Sequence, residues 1–238
     1  MLVSIALFGG WFLAEFKKQP IIKSVFTDQP SPTPKVSPTI KPSVYPLLDI
    51  PFTAQAPFGN WADERQEDGC EEASVLMAMR WIEDKNLTSS EAEREIIAIS
   101  DFQQKTYGDF HDTSSQDTAL RIVKGYFGYS KFEVKQNVTA EDIKKELLNG
   151  NAVITPMNGQ KLKNPYYKQP GPIKHMLIVK GYDPKKKEFI TNDPGTKRGK
   201  SYHYKEDVFM EALQDYQTGF HLQTTENKKT MIVIRPNN

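Results

Sequence analysis

Apolar and polar positions follow two different rhythms along this 238-residue chain, and the change from one to the other divides its main domain. From Cys70, "CEEASVLMAMRWIEDK" carries apolar residues on nearly every face, which predicts a helix buried in the centre of the fold. "TSSEAEREIIAIS" opens with Ser and Thr followed by acids, as helix starts do. "SSQDTALRIVKGYFG" and "VTAEDIKKELLNG" predict two further helices, the second capped by Thr139 and stopped by Gly150. Beyond that glycine the pattern changes: "NAVITPM", "HMLIVKGYD", "KEFITND" and "TMIVIRP" predict strands. Ahead of the first helix, "LLDIPFTAQAPFGNWADERQEDG" reads as a short strand and a loop. Helices come early and strands late, so the expected architecture is α+β with an antiparallel sheet.

Residues 1–46 follow neither rhythm. "MLVSIALFGGWFLA" is uncharged and mostly apolar; at the helical rise it covers about 21 Å of a hydrocarbon layer of about 30 Å. It lacks the basic start and small-residue cleavage site of a secretory signal, so residues 1–16 are expected to be a membrane anchor, with a signal-like segment as the alternative. Lys17, Lys18 and Lys23 follow, and the positive-inside rule would keep that flank cytoplasmic, against an exported domain. Residues 17–46 form a linker in which Pro30, Pro32, Pro34, Pro38, Pro42 and Pro46 alternate with Ser, Thr and Lys. Such a segment favours extended polyproline II and suits a stalk, although a tail without a role has the same composition. The catalytic domain is then expected over residues 47–238, membrane-anchored and extracytoplasmic or secreted.

Composition narrows the function. With 31 Lys and Arg against 30 Asp and Glu, no single-sign field steers nucleic acid to the surface. The single cysteine makes no internal disulfide, and no cluster of His and Cys has the spacing of a zinc site.

That cysteine, Cys70, follows Gly69 at the predicted start of the buried helix. Free backbone N–H groups and the positive end of the helix dipole would lower its pKa and favour the nucleophilic thiolate, with Glu71 and Glu72 facing away. Alone, it is equally a small buried hydrophobe. His175 opens one predicted strand and Asp193 closes the next. A hairpin folded near residue 184 or 185 brings the two level to within about one residue, where the carboxylate can orient the imidazole. An oxyanion donor is also required, and both Gln55 and Gln66 precede the cysteine. Gln66 is too close along the chain to turn back without strain, which favours Gln55.

With these residues in view, the chain resembles the papain-like cysteine peptidases, and most closely the peptidase family 39-like domains related to bacteriocin-processing peptidases. The resemblance rests on "DIPFTAQAPFGNW", "DGCEEASVLMAM", "HMLIVKGYD" and "FITNDPGT". It implies the papain-like fold with the nucleophile helix packed on the sheet. It also implies Cys70 as nucleophile, His175 as general base and acid, Asp193 as orienting residue and Gln55 as oxyanion donor. Two departures stand out. Those enzymes usually have an Asp-Cys-Gly order with glutamine six residues before the cysteine, whereas here Glu64 holds that position and the order is Asp68-Gly69-Cys70. They are also commonly fused to a membrane transporter, for which this chain has no room, so cleavage of double-glycine leader peptides is not implied.

The expected function is hydrolysis of peptide bonds in a peptide or protein substrate by a monomer that needs no metal or organic cofactor. An acyl-transfer enzyme such as a transpeptidase or amidase on cell-wall peptides, and a non-catalytic peptide-binding module, are the alternatives. The segment from Met157 to Lys174 is either a wall or lid of the cleft or a packed surface loop. Its Lys161, Lys163, Lys168 and Lys174 either favour acidic substrates or are solvated.

Overall fold

A computed structural model describes residues 44–222 and 227–237. The expected anchor and most of the linker lie outside the described residues. Among the described residues no helix is long and apolar enough to cross a membrane.

Among the described residues there are six strands: β1 (Phe132–Gln136), β2 (Ala152–Met157), β3 (His175–Asp183), β4 (Glu188–Asn192), β5 (Tyr202–Lys205) and β6 (Thr230–Ile234). They form one antiparallel sheet in the order β1-β6-β2-β3-β4-β5. The helices are α1 (Glu64–Glu67), α2 (Cys70–Ile82), α3 (Ser89–Tyr107), α4 (Ser115–Asp117), α5 (Ala140–Leu148), α6 (Gly159–Leu162) and α7 (Glu206–Ala212). A π-helical stretch, Thr118–Tyr126, continues directly from α4. The α+β expectation therefore holds, with β1 and β5 added.

Both faces of the sheet are covered. Met176 and Ile178 of β3, with Ile154, Ile232 and Ile234 beside them, pack under α2, α3 and the π-helical stretch. The alternate residues Leu177, Val179, Val153, Met231 and Val233 join Ile143 and Leu147 of α5 and Phe209 of α7. Burial on both faces explains why the central strands read as unbroken apolar runs rather than alternating ones. The expected caps are present as well. Thr88 with Glu91 and Thr139 with Asp142 form capping boxes at α3 and α5. α3 runs on to Gly108, whose φ of +83° ends it in a left-handed turn.

The strand expected within residues 47–54 does not form. β2 and β4 already occupy both edges of β3, and Pro46 and Pro51 cannot donate to a ladder. The segment instead runs extended and is tied down one bond at a time. A bulge in β3 between Val179 and Gly181 frees the Lys180 carbonyl, which accepts from Leu48 N at 2.9 Å. Asn192 Nδ2 donates to the carbonyls of Ile50 (3.0 Å) and Pro51 (3.1 Å).

Every residue of α2 from Cys70 to Met79 is buried. Val75, Leu76, Met77 and Ala78 are fully enclosed, and each buried large apolar side chain contributes about 1.5–3 kcal/mol. Ser74 Oγ donates to the Met176 carbonyl at 3.2 Å, fixing the first turns of α2 against the start of β3. Gly69 has an ordinary φ of −83°, so no special backbone conformation calls for glycine there. Space does: a Cβ would lie 2.6 Å from the Arg65 carbonyl oxygen and 3.0 Å from Ile96 Cγ2. A Gly69→Ala variant is accordingly expected to lose about 1–3 kcal/mol of unfolding free energy through overpacking, read as a lower urea midpoint. An unchanged midpoint would mean that α1 moves aside freely.

Candidate active site

The site is assembled where the N-terminus of α2 meets the first residue of β3. Cys70, His175 and Gln55 all line one cavity of about 1400 Å³, with Asp193 buried behind the histidine. The four residues picked out in the sequence are thus gathered in one place, and Gln66 is not among the cavity's lining.

His175 Nε2 and Asp193 Oδ1 are 2.8 Å apart, and both side chains are buried. The route differs from the expected one. β4 pairs Asn192 with Ile178, so continuing the ladder would set Asp193 opposite Leu177, two positions from His175. A turn centred later than residue 184 offsets the pair, the bulge takes back one position of that offset, and the two residues meet diagonally.

Asp193 is held from several sides. Oδ2 accepts from Tyr167 Oη (2.6 Å), Tyr204 Oη (2.5 Å) and Asn164 Nδ2 (3.3 Å), while Oδ1 also accepts from the Gly195 backbone N–H at 3.0 Å. Burial would raise its pKa, but the charge of His175 and the hydrogen bonds from His175, Tyr167 and Tyr204 outweigh burial and hold it below the ordinary carboxylate value. Its backbone is equally fixed. Asp193 N donates to the Gly199 carbonyl at 3.0 Å, and a Cβ on Gly199 would fall 1.8 Å from the Asp193 carbonyl oxygen.

Tyr167, Tyr204 and Asn164 were not foreseen from the sequence. Tyr167 belongs to the segment between Met157 and Lys174, and residues from Tyr166 through Lys174 line the cavity, so that segment is a wall of the cleft. Its lysines divide. Lys168 and Lys174 line the cavity, but Lys174 is buried against Asp112, its Nζ 3.1 Å from Oδ2.

Gln55 reaches the cleft through its backbone, whose N–H donates to the Pro194 carbonyl at 2.9 Å beside Asp193. Its Nε2 donates to the Glu67 carbonyl at 2.5 Å, which leaves that nitrogen's second hydrogen for a ligand; among the described residues, the buried Oε1 has no partner. Gln66 is fully buried and, among the described residues, neither of its side-chain amide atoms has a partner at hydrogen-bond distance and angle.

The surroundings of Cys70 overturn one expectation. Glu71 does not face away: its Oε2 accepts from the Cys70 thiol at 3.0 Å, and its Oε1 accepts from Tyr216 Oη at 2.7 Å. Glu72 does point elsewhere, toward Gln103 Nε2 (2.7 Å) and Ser100 Oγ (3.4 Å). Burial, and then the Glu71 carboxylate, push the Cys70 thiol well above its ordinary pKa rather than below it. Burial and the nearby Asp112 raise Glu71 to about 7. Among the described residues, no hydrogen bond joins Cys70 to His175. In the same cavity, Asp68, Asp112 and His221 bring side-chain oxygen and nitrogen atoms within 4.8 Å of one another. Asp112 Oδ2 is already shared by Lys174 Nζ and the backbone N–H of His221.

Comparison with known proteins adds the lineage. No curated protein matches the chain. A crystal structure of a chain from Bacillus anthracis described as a C39-like peptidase superposes with a TM-score of 0.50 at 12% identity, covering 83% of this chain and 100% of that one. The shared architecture is the papain-like α+β fold, as the sequence led us to expect. The sequence pattern of the Peptidase_C39 like family matches residues 47–221, so the chain belongs to that family.

Proposed function

We propose that the protein is a cysteine peptidase in which Cys70, His175 and Asp193 act as a triad and Gln55 as oxyanion donor. The observation that carries this reading is the buried 2.8 Å contact of His175 Nε2 with Asp193, in a cleft that also holds the thiol at the start of α2. With Nε2 committed to Asp193, Nδ1 is the nitrogen left to serve the sulfur.

Each step follows from these groups. The thiol proton passes to His175, and the sulfur attacks the peptide carbonyl carbon. Negative charge collects on the carbonyl oxygen. The Cys70 backbone N–H, at the first helical position and without an intrahelical acceptor, and the second Nε2 hydrogen of Gln55 are the donors available to it. His175 returns the proton to the nitrogen as the C–N bond breaks, which leaves a thioester. Water, deprotonated by His175, then attacks the thioester; the S–C bond breaks and the sulfur recovers its proton. Asp193 keeps one tautomer of the imidazole and stabilises its charged form. The tether is part of the same proposal: residues 1–16 anchor the chain, and the proline-rich linker holds the domain off the membrane.

Peptide mixtures digested and read by mass spectrometry test the reading. Cys70→Ala is expected to abolish cleavage, and His175→Ala to lower kcat about 10³-fold or more. Cleavage that survives Cys70→Ala would sink the proposal. Gln55→Ala is expected to cost about 10²-fold in kcat with little change in KM, whereas Gln66→Ala should affect stability rather than kcat. The reverse pattern would give the oxyanion role to Gln66.

A further inference from the structure

Glu71 touches the nucleophile, and the triad gives it no task. The residue is 2% exposed, and its carboxylate holds two donors, Cys70 Sγ at 3.0 Å and Tyr216 Oη at 2.7 Å. The groups that act on it are Cys70 and Glu72 on its own helix, Asp68 in the turn before, Asp112 after α3 and Tyr216 after α7; His221, also after α7, acts on Asp68. Lys174, a lysine of the same cavity, is paired with Asp112. Among the described residues Glu71 has no ion-pair partner.

We propose that Glu71 is a proton-controlled brake on Cys70: ionised, it holds the thiol in its neutral form; protonated, it lets Cys70 and His175 form their ion pair. The inference rests on the reading of Cys70 as a nucleophile.

Glu71, Cys70 and His175 share a small number of protons. The reactive state has a thiolate and an imidazolium. With Glu71 ionised, that thiolate would sit beside a carboxylate at about 3.0 Å in a buried site, where like charges strongly disfavour each other. With Glu71 protonated, its O–H can instead donate to the sulfur. The reactive state therefore holds two protons, one on Glu71 and one on His175. Losing either leaves a carboxylate, a neutral thiol and a neutral imidazole. Because burial and Asp112 raise Glu71 to about 7, that loss falls within the neutral range. The sign follows: reactivity should fall as pH rises through about 7, opposite to an ordinary thiol, whose thiolate fraction only grows with pH. Replacing Glu71 by glutamine removes one of the two required protons, so the ion pair survives to higher pH. The amide oxygen can still accept from Tyr216.

The test is the rate of iodoacetamide alkylation of Cys70 between pH 5 and pH 9, in wild type, Glu71→Gln, Tyr216→Phe and His175→Ala. Wild-type reactivity is expected to decline above about pH 7. Glu71→Gln should lose that decline and react ~10-fold faster or more at alkaline pH, a tenfold change in thiolate per unit of thiol pKa. Tyr216→Phe removes a donor to the carboxylate, so it should move the decline to higher pH. A Glu71→Gln profile that coincides with wild type overturns the inference. Should that variant not fold, an unshifted Tyr216→Phe profile overturns it instead. If His175→Ala leaves the wild-type profile unchanged, the fault lies with the Cys70–His175 reading itself.

Discussion

Enclosing α2 between α3 and the sheet puts an entire first helical turn into a low-dielectric setting, and the chemistry of the site follows from that. Ten consecutive residues from Cys70 to Met79 are buried, three of them able to ionise. In water, Cys70, Glu71 and Glu72 would all have ordinary acidities. Inside, each charge needs a partner or must be neutralised. Glu72 is pushed well above its ordinary pKa by burial and by Glu71, and it meets neutral donors from α3. Glu71 takes Tyr216 and the thiol. A helix N-terminus favours a thiolate, but here burial and a neighbouring carboxylate act in the opposite direction and win.

The other half of the site solves the same difficulty differently. Asp193 is just as buried, yet it is held as an anion by five hydrogen bonds from His175, Gly195, Tyr167, Tyr204 and Asn164. Bonds to a charged group are worth about 1.5–3 kcal/mol each, enough together to offset a burial penalty of several kcal/mol. Two of those donors, Asn164 and Tyr167, come from the segment between Met157 and Lys174. The segment that lines the cleft from Tyr166 onward therefore also fixes the Asp193 carboxylate.

Much of this was legible in the sequence because it rests on local rules. Apolar residues all round "CEEASVLMAM" marked a central helix, and Thr88 and Thr139 marked helix starts. The strands at residues 152–157, 175–183, 188–192 and 230–234 stood out as apolar runs. The edge strands β1 and β5 escaped notice, since "FEVKQ" and "YHYK" are short, polar and buried on one side at most. The expected strand near Leu47 failed for a reason no local pattern carries: β3 already had neighbours on both edges.

By itself the sequence determined the α+β class and singled out a helix-start cysteine, a strand-start histidine, Asp193 and Gln55, which the fold gathers at one cleft. These depend on period, on end signals and on residue type, all of which are written along the chain. Only the tertiary structure decided the diagonal register of His175 on Asp193, the two tyrosines on that carboxylate, and the inward turn of Glu71 onto the thiol. A one-residue bulge moves a register, and the direction of a side chain at a helix start is settled by what packs above it. Tyr216 lies 145 residues from Glu71, and no local pattern spans that distance.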